Sequence, residues 1–156
     1  MVAIMLASFE DVRKARQCVC DLAQAARIED PSAVALVTGE LGNNCVEHGN
    51  HAPGLLRIGC KPGALCLQFE NACERPPDWR TQKPLAVEAF RTGGYGLPLA
   101  RALAGSVNCR WADGRAVVRA EFSSNEEEAV THLANVVSNP ILPFSPSRRE
   151  GSSPEG

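Results

Sequence analysis

The chain contains 156 residues, 22% of them charged and 44% hydrophobic, and its formal net charge is −2. This length is sufficient for one domain with a substantial buried core. Nucleic-acid-binding domains usually carry a positively charged face. Because the chain is slightly acidic and shows no extended basic run, we expect no nucleic-acid partner.

The N-terminus and the seven cysteines bear on the cellular compartment. The first residues lack the basic region and the full apolar region of a signal peptide. No apolar run approaches the roughly 20 residues that cross a bilayer, so no membrane contact is expected. Cys18 and Cys20 are too close for a usual zinc site, and the other cysteines lack paired Cys-x-x-Cys spacing. We therefore expect a soluble cytoplasmic protein whose cysteines are mainly small buried side chains.

Helical periodicity dominates the first third of the chain. The uncharged segment 2–6 predicts a short edge strand. Apolar residues then recur at helical spacing over 9–26, which predicts an amphipathic helix. The Asp-Pro pair at 30–31 is typical of a helix start, so a second helix should extend over 31–48 and stop at Gly49.

Three polar residues of this second helix, Glu40, Asn44 and His48, recur at i, i+4 and i+8 and therefore share one ridge. The adjacent stripe is apolar, as expected where a polar ridge borders the core. A carboxylate can deprotonate a hydroxyl, an amide oxygen can coordinate Mg²⁺, and an imidazole can approach a phosphate. The ridge outlines a nucleotide site, while a solvated helix face is the alternative interpretation.

Two strands follow at 55–60 and 65–70, and the Pro-Gly pair between them predicts an antiparallel hairpin. Strand alternation places the odd-numbered residues from Leu65 to Asn71 on one face. If that face meets the helices, Asn71 lies at the strand end beside the polar ridge.

A glycine-rich segment follows a proline-rich loop at 74–84. Gly93, Gly94 and Gly96 precede a predicted helix over 97–104. Glycines let backbone N–H groups approach an anion closely, and a helix N-terminus adds a favourable dipole. The segment is therefore a candidate phosphate-binding loop, with a flexible hinge as the alternative; it has neither the Walker nor the Rossmann pattern.

The last predicted hairpin joins strands at 107–111 and 116–122 through Asp113 and Gly114. The order helix, helix, hairpin, loop, helix, hairpin predicts an α+β fold. We expect a two-layer α/β sandwich, with an antiparallel or mixed sheet covered on one face by helices.

A further helix is predicted to end at Val137, with acidic residues in its first turn. Residues 138–156 are rich in Pro, Ser and Gly and cannot bury enough apolar surface to order themselves. We therefore expect one domain over 1–137 and a disordered tail over 138–156.

The pattern Glu-x-x-x-Asn-x-x-x-His, followed by Gly-Gly-x-Gly-Leu, resembles the N box and the last glycine box of GHKL (Bergerat-fold) ATPases. The resemblance extends over 9–122, and the compact length is similar to the anti-sigma-factor and serine-kinase branch. It implies the histidine-kinase-like ATPase sandwich with bound ATP and Mg²⁺. Glu40 then corresponds to the general base and Asn44 to the Mg²⁺ ligand, while Gly94 and Gly96 contact phosphate.

The other motif positions, His48, Gly93 and Leu97, are expected to line the same cofactor site. One departure from the family pattern concerns recognition of the adenine base. Where the family has Asp-x-Gly after a central strand, with the Asp holding the adenine amino group, this chain has Asn71 and, two residues later, Cys73. An Asn can accept that hydrogen bond through its carbonyl oxygen but loses the charge assistance, which costs about 1 kcal/mol or more.

The resemblance implies two leading interpretations. One is a serine/threonine protein kinase and anti-sigma factor that phosphorylates a small anti-anti-sigma (STAS-type) protein and binds a sigma factor or other regulatory target. The other is a non-catalytic binding module of the same fold. A homodimer is compatible with both. Glu40 favours chemistry, whereas Asn71 disfavours ordinary adenine recognition. A histidine-kinase-like fragment or phosphotransfer partner ranks third, because no dimerisation helix with a phospho-accepting His precedes the domain.

Overall fold

The computed structural model describes residues 1–49, 51–74, 77 and 96–124. In these ranges the chain forms, in order, β1 (Val2–Leu6), α1 (Phe9–Ala25), α2 (Pro31–His48), β2 (Gly54–Lys61), β3 (Ala64–Ala72), α3 (Gly96–Leu103), β4 (Ser106–Ala112) and β5 (Arg115–Ser123). Most of the predicted proline-rich loop, the predicted helix ending at Val137 and the tail at 138–156 lie outside the described residues. The proposed domain boundary therefore stays a prediction.

The five described strands form one antiparallel sheet in the order β1-β2-β3-β5-β4. Both predicted hairpins are confirmed, as is the edge position of β1. Asp113 and Gly114 have φ angles of 52° and 70°, so both central residues of the β4–β5 turn adopt the left-handed conformation that an Asp-Gly pair favours. Within the described residues the sheet is thus antiparallel, which is the first of the two predicted alternatives.

Side-chain caps fix the starts of the two long helices. The Ser8 hydroxyl oxygen accepts a hydrogen bond from the Asp11 N–H, and the Ser8 hydroxyl donates in turn to the Asp11 carboxylate at 2.8 Å. Asp30 caps α2 as predicted, because its carboxylate accepts from the Ala33 N–H at 2.9 Å. Each cap thus satisfies a backbone N–H group in the first turn of its helix.

Gly49 follows α2 as predicted, but its conformation differs from that of the usual glycine stop. Its φ is −75°, outside the left-handed region. A Cβ at this position would lie 2.7 Å from the Ala52 carbonyl oxygen and would also overlap the Cys45 carbonyl oxygen. Close approach of the backbone, and not a positive φ, therefore requires glycine here.

The core lies between the sheet and the layer formed by α1 and α2, with α3 packed against α2. Apolar side chains of both helix stripes meet one face of the central strands, among them Leu65, Leu67 and Phe69 of β3. The predicted strand alternation is confirmed at these positions. The architecture is the predicted α+β sandwich, with the described helices on one face of the sheet.

The opposite face of β3 is buried as well. Gln68 and Glu70 are only 2% and 6% exposed. The Glu70 carboxylate accepts hydrogen bonds from Arg57 Nε and Gln68 Nε2, each at 2.9 Å. Burial of a carboxylate is tolerated when such partners compensate for its lost hydration. The two hydrogen bonds to Glu70 also hold the end of β3 that leads to Asn71.

None of the described helices combines the length and apolar character needed to cross a bilayer.

Candidate functional site

The polar ridge predicted from the sequence lies on α2, which continues without interruption through all three of its positions. Glu40 and Asn44 are half-buried, whereas His48 lies in the last turn with 72% of its side chain exposed. The His48 Nε2 atom is 3.9 Å from the Glu47 carboxylate. The inner part of the site is therefore formed by Glu40 and Asn44, with His48 at its solvent-exposed end.

The start of α3 contacts this ridge directly. Gly96 is buried, and a Cβ built on it would lie 2.7 Å from Asn44 Nδ2 and 3.3 Å from Glu40 Cβ. Its φ is not in the left-handed region. Glycine is therefore required here by the close approach of two helices and not by an unusual backbone conformation. The structure thus brings the end of the glycine-rich segment, including half-buried Leu97, to the two polar residues.

Glu40 and Asn44 share a second property. Within the described part of the chain, neither the Glu40 carboxylate nor the Asn44 amide forms a hydrogen bond or an ion pair. Half-buried polar groups in folded proteins are usually satisfied by protein or by ordered water. These two side chains are therefore accessible to solvent or to a ligand.

The end of β3 approaches the same helix. Asn71 is half-buried, pairs with Ala116 of β5 and shares the helix-facing side of β3 with Phe69. Gly54, at the start of β2, fits between the two elements: its Cβ would lie 2.6 Å from Cys45 Cβ and 3.4 Å from the Glu70 carbonyl oxygen. The packing thus brings the end of β3 close to α2 at Cys45, while the role of Asn71 in the site stays a prediction.

Cys73 is held by backbone contacts just beyond β3. Its N–H donates to the Gly114 carbonyl, and its carbonyl accepts from the Trp111 indole N–H, both at 2.8 Å. These bonds attach the segment after Asn71 to the β4–β5 hairpin. Sequence reasoning missed the contribution of Trp111, because the contact joins residues 38 positions apart and leaves no local pattern.

Cys45 lies behind the ridge and is a packing residue. It is 3% exposed, and burial raises the pKa of its thiol to about 12. Its thiol therefore stays protonated at neutral pH and is a poor metal ligand or nucleophile. Among the described residues, no group of three or more His, Cys, Asp or Glu side chains converges on a metal position.

Gly93 and Gly94, the other two glycines of the predicted phosphate-binding loop, lie outside the described residues. Their phosphate contacts therefore stay predictions.

A family model for the histidine kinase-like ATPase domain matches residues 5–122. The chain belongs to this family. The match covers every described element except the first residues of β1 and the end of β5. Domains of this family bind ATP together with Mg²⁺. The predicted GHKL membership and the fold of this ATPase domain are thereby confirmed.

Among solved structures, the ATPase domain is similar to the nucleotide-free catalytic domain of the histidine kinase ThkA. The two chains are 14% identical with a TM-score of 0.48, and the match covers 80% of this chain and 97% of the other. A comparison with curated protein sequences finds no match.

The residues of this ATPase domain fit ATP and Mg²⁺. The amide oxygen of Asn44 is a suitable ligand for a hard cation that takes most of its other ligands from phosphate and water. Its position beside Gly96, where no Cβ can be accommodated, places it at the start of a helix whose N-terminal dipole favours an anion. The candidate cation ligand on α2 and the start of α3 are thus close to each other.

Proposed function

We propose that this ATPase domain is an anti-sigma-factor-like regulator that transfers phosphate from ATP to a serine or threonine of a small antagonist protein. The observation that carries the proposal is the pair Glu40 and Asn44. Both are half-buried, both lack a partner within the described residues, and both contact the start of α3 at Gly96. Their contact with the start of α3 distinguishes these two side chains from a simple solvated helix face.

The proposed role of Glu40 follows from its chemistry. Its carboxylate would accept the proton of a serine or threonine hydroxyl while that oxygen bonds to the terminal phosphorus of ATP. The bond from that phosphorus to the bridging oxygen breaks, and ADP leaves with the electron pair. Among the described residues, no cationic side chain pairs with the Glu40 carboxylate. The proton acceptor therefore lies on the same helix face as the proposed cation ligand, one turn away.

Asn44 holds the cation through its amide oxygen, and the contact with Gly96 limits its rotamers. A bound Mg²⁺ would supply charge neutralisation at the phosphates. Phosphoryl transfer depends mainly on positioning and charge neutralisation, so a small constellation of residues is sufficient.

Asn71 supports the alternative function, a non-catalytic binding module of the same fold. Its neutral amide is half-buried at the strand end where the family places a carboxylate. A neutral acceptor binds the adenine amino group more weakly by about 1 kcal/mol or more. If affinity for ATP is low for this reason, the domain would act by holding a sigma factor or another regulatory target without transferring phosphate.

Phosphate transfer from radiolabelled ATP to candidate antagonist proteins distinguishes the two functions. We expect transfer with the parent chain and loss of transfer in Glu40→Gln, with ATP affinity retained. Glu47→Gln is a matched control, since Glu47 is an exposed carboxylate on the same helix, and it should transfer as the parent does. Undiminished transfer in Glu40→Gln would contradict the general-base role. Tight partner binding without any transfer would favour the binding module.

A further inference from the structure

The face of the sheet that points away from the described helices is buried along its centre. Strand alternation and register place seven residues of β3 and β5 together on this second face, namely Ala64, Cys66, Gln68, Glu70, Val117, Arg119 and Glu121. Each of them is at most 7% exposed. Ala64 and Cys66 form a buried cluster separate from the core between the sheet and the helices. The second face is therefore covered, although the described helices lie on the other side of the sheet.

The burial on the second face has the outline of one helix. It is complete on the two central strands, whereas Ala3 of β1 and Asn108 of β4, which share this face, are exposed. An α-helix is about 10 Å wide, which is the width of two strands spaced about 4.8 Å apart. The buried strip extends from Ala64 to Glu70, or about 20 Å. A helix of about 13 residues has the same length.

The chain leaves β5 at one end of this strip. The Ser124 N–H donates to the Gly63 carbonyl at 3.0 Å, so the chain departs beside the turn between β2 and β3. The buried strip begins at the same turn, because Ala64 pairs with Ser123. Residues 125–137 follow directly, and the sequence predicts there a helix whose apolar residues recur at helical spacing. Its 13 residues match the length of the strip.

The charges of the strip and of this segment are complementary. The Arg119 side chain is 4% exposed, and its Nη2 atom lies 2.8 Å from a Glu121 carboxylate oxygen. Within the described residues, however, neither Nη2 nor Nε of Arg119 forms a hydrogen bond of acceptable geometry. Buried donors of this kind normally have an acceptor. Residues 125–137 contain three glutamates and no Lys or Arg, so they offer acceptors and add no positive charge to the strip.

We propose that residues 125–137 dock as an amphipathic helix on the second face of the sheet, along β3 and β5. The apolar stripe that contains Leu133 then packs on Cys66 and Val117, and the polar residues beside the stripe meet the Arg119 guanidinium. The burial is a property of a single chain, which favours a segment of the chain itself over a partner protein as the cover. The sheet then has helices on both faces.

Labelling of Cys66 in the full chain reports whether the cover is in place. Leu133→Asp puts a charge into the proposed contact and should expose the Cys66 thiol. Its pKa, about 11 when buried, would return toward 9.0, so maleimide at pH 8 should label it about tenfold to a hundredfold faster. Cys45, on the helix side of the sheet, should keep its slow rate. Asn135→Asp is the matched control, because residues 133 and 135 lie on opposite sides of a helix.

Proteolysis of the parent chain tests the docking without any substitution. A glutamate-specific protease should cut at residues 126–128 at least about tenfold more slowly than at Glu150, because a docked segment must first open. Equal cleavage rates would overturn the proposal.

Unchanged labelling of Cys66 in Leu133→Asp would also overturn it, if circular dichroism shows a folded chain and Cys45 stays slow, since another segment then covers the face. If Leu133→Asp does not fold, Leu133→Ala replaces it, with a smaller expected increase in the labelling of Cys66. An unchanged rate in that folded variant would equally contradict the docking. Because no nucleotide is present, these outcomes are independent of the kinase test.

Discussion

The contact between Gly96 and the ridge predicts that Gly96→Ala weakens both nucleotide binding and folding. An alanine Cβ would lie 2.7 Å from Asn44 Nδ2, 3.3 Å from Glu40 Cβ and 3.4 Å from the Glu40 carbonyl carbon. Ordinary contacts between such atoms are about 3.5 to 4.0 Å, so α3 must move away from α2 or Asn44 must change rotamer. Overpacking of this kind costs about 1–3 kcal/mol.

The same displacement sets the expected loss of affinity. If Asn44 must be restored to its position for a nucleotide to bind, about 1–3 kcal/mol corresponds to roughly a tenfold to hundredfold weaker affinity for Mg-ATP. Calorimetric titration measures the affinity, and urea denaturation measures the free energy of unfolding. Alanine is compatible with the helical φ at this position, so backbone strain does not contribute.

Two other glycines provide matched controls. A Cβ on Gly42 would lie 2.9 Å from Val12 Cγ1, on the side of α2 that faces α1. Gly42→Ala should therefore lose stability but keep its nucleotide affinity once folded. A Cβ on Gly105 meets only an ordinary 3.5 Å contact, so Gly105→Ala should change neither quantity by much. Equal losses of affinity in Gly42→Ala and Gly96→Ala, or unchanged affinity in Gly96→Ala, would refute the reasoning.

Three further predictions concern the reactivity of two buried thiols, the stability of the fold at low pH and the recognition of adenine. Burial raises the pKa of the Cys45 and Cys66 thiols to about 12 and about 11. Maleimide at pH 8 should therefore label them at least about a hundredfold more slowly than an unperturbed thiol. Equal labelling rates, measured by mass spectrometry, would contradict this. The Ser8 hydroxyl lowers the pKa of Asp11, so the hydrogen bond between them stabilises the fold above about pH 4 and less as the pH falls. The loss of unfolding free energy in Ser8→Ala should therefore shrink below about pH 4. A loss that does not change with pH would contradict this. Asn71→Asp should raise the affinity for ATP, measured by calorimetry, by roughly fivefold. A lower affinity would mean that residue 71 does not contact the adenine amino group.

The sequence predicted those features that depend on local periodicity or turn chemistry. Glu40 and Asn44 share a ridge because four residues make about one helical turn, and strand alternation brings Asn71 to the helix-facing side of β3. The Asp113-Gly114 turn follows from the left-handed backbone preference of those residues. Each of these rules acts within about ten residues, so one sequence is sufficient to apply it.

Features that depend on long-range packing were not predictable in this way. The reason for glycine at Gly96 is the distance between two helices that are far apart in the sequence. The Trp111 bond to Cys73 depends on how the last hairpin is placed against β3. The burial of Glu70 on the second face of the sheet also has no local pattern, since strand alternation indicates which residues share a face but not whether that face is covered.

Calorimetry of the full chain with ATP, in the presence and absence of Mg²⁺, tests the central claim most directly. Asn44→Ala is compared with Asn43→Ala, because Asn43 is its half-buried neighbour on the same helix and points to a different side. We predict Mg²⁺-dependent binding of ATP by the parent and by Asn43→Ala, and loss of the Mg²⁺-dependent part in Asn44→Ala with an unchanged circular dichroism spectrum. Binding of Mg-ATP by Asn44→Ala with the affinity of the parent would contradict the site described on α2.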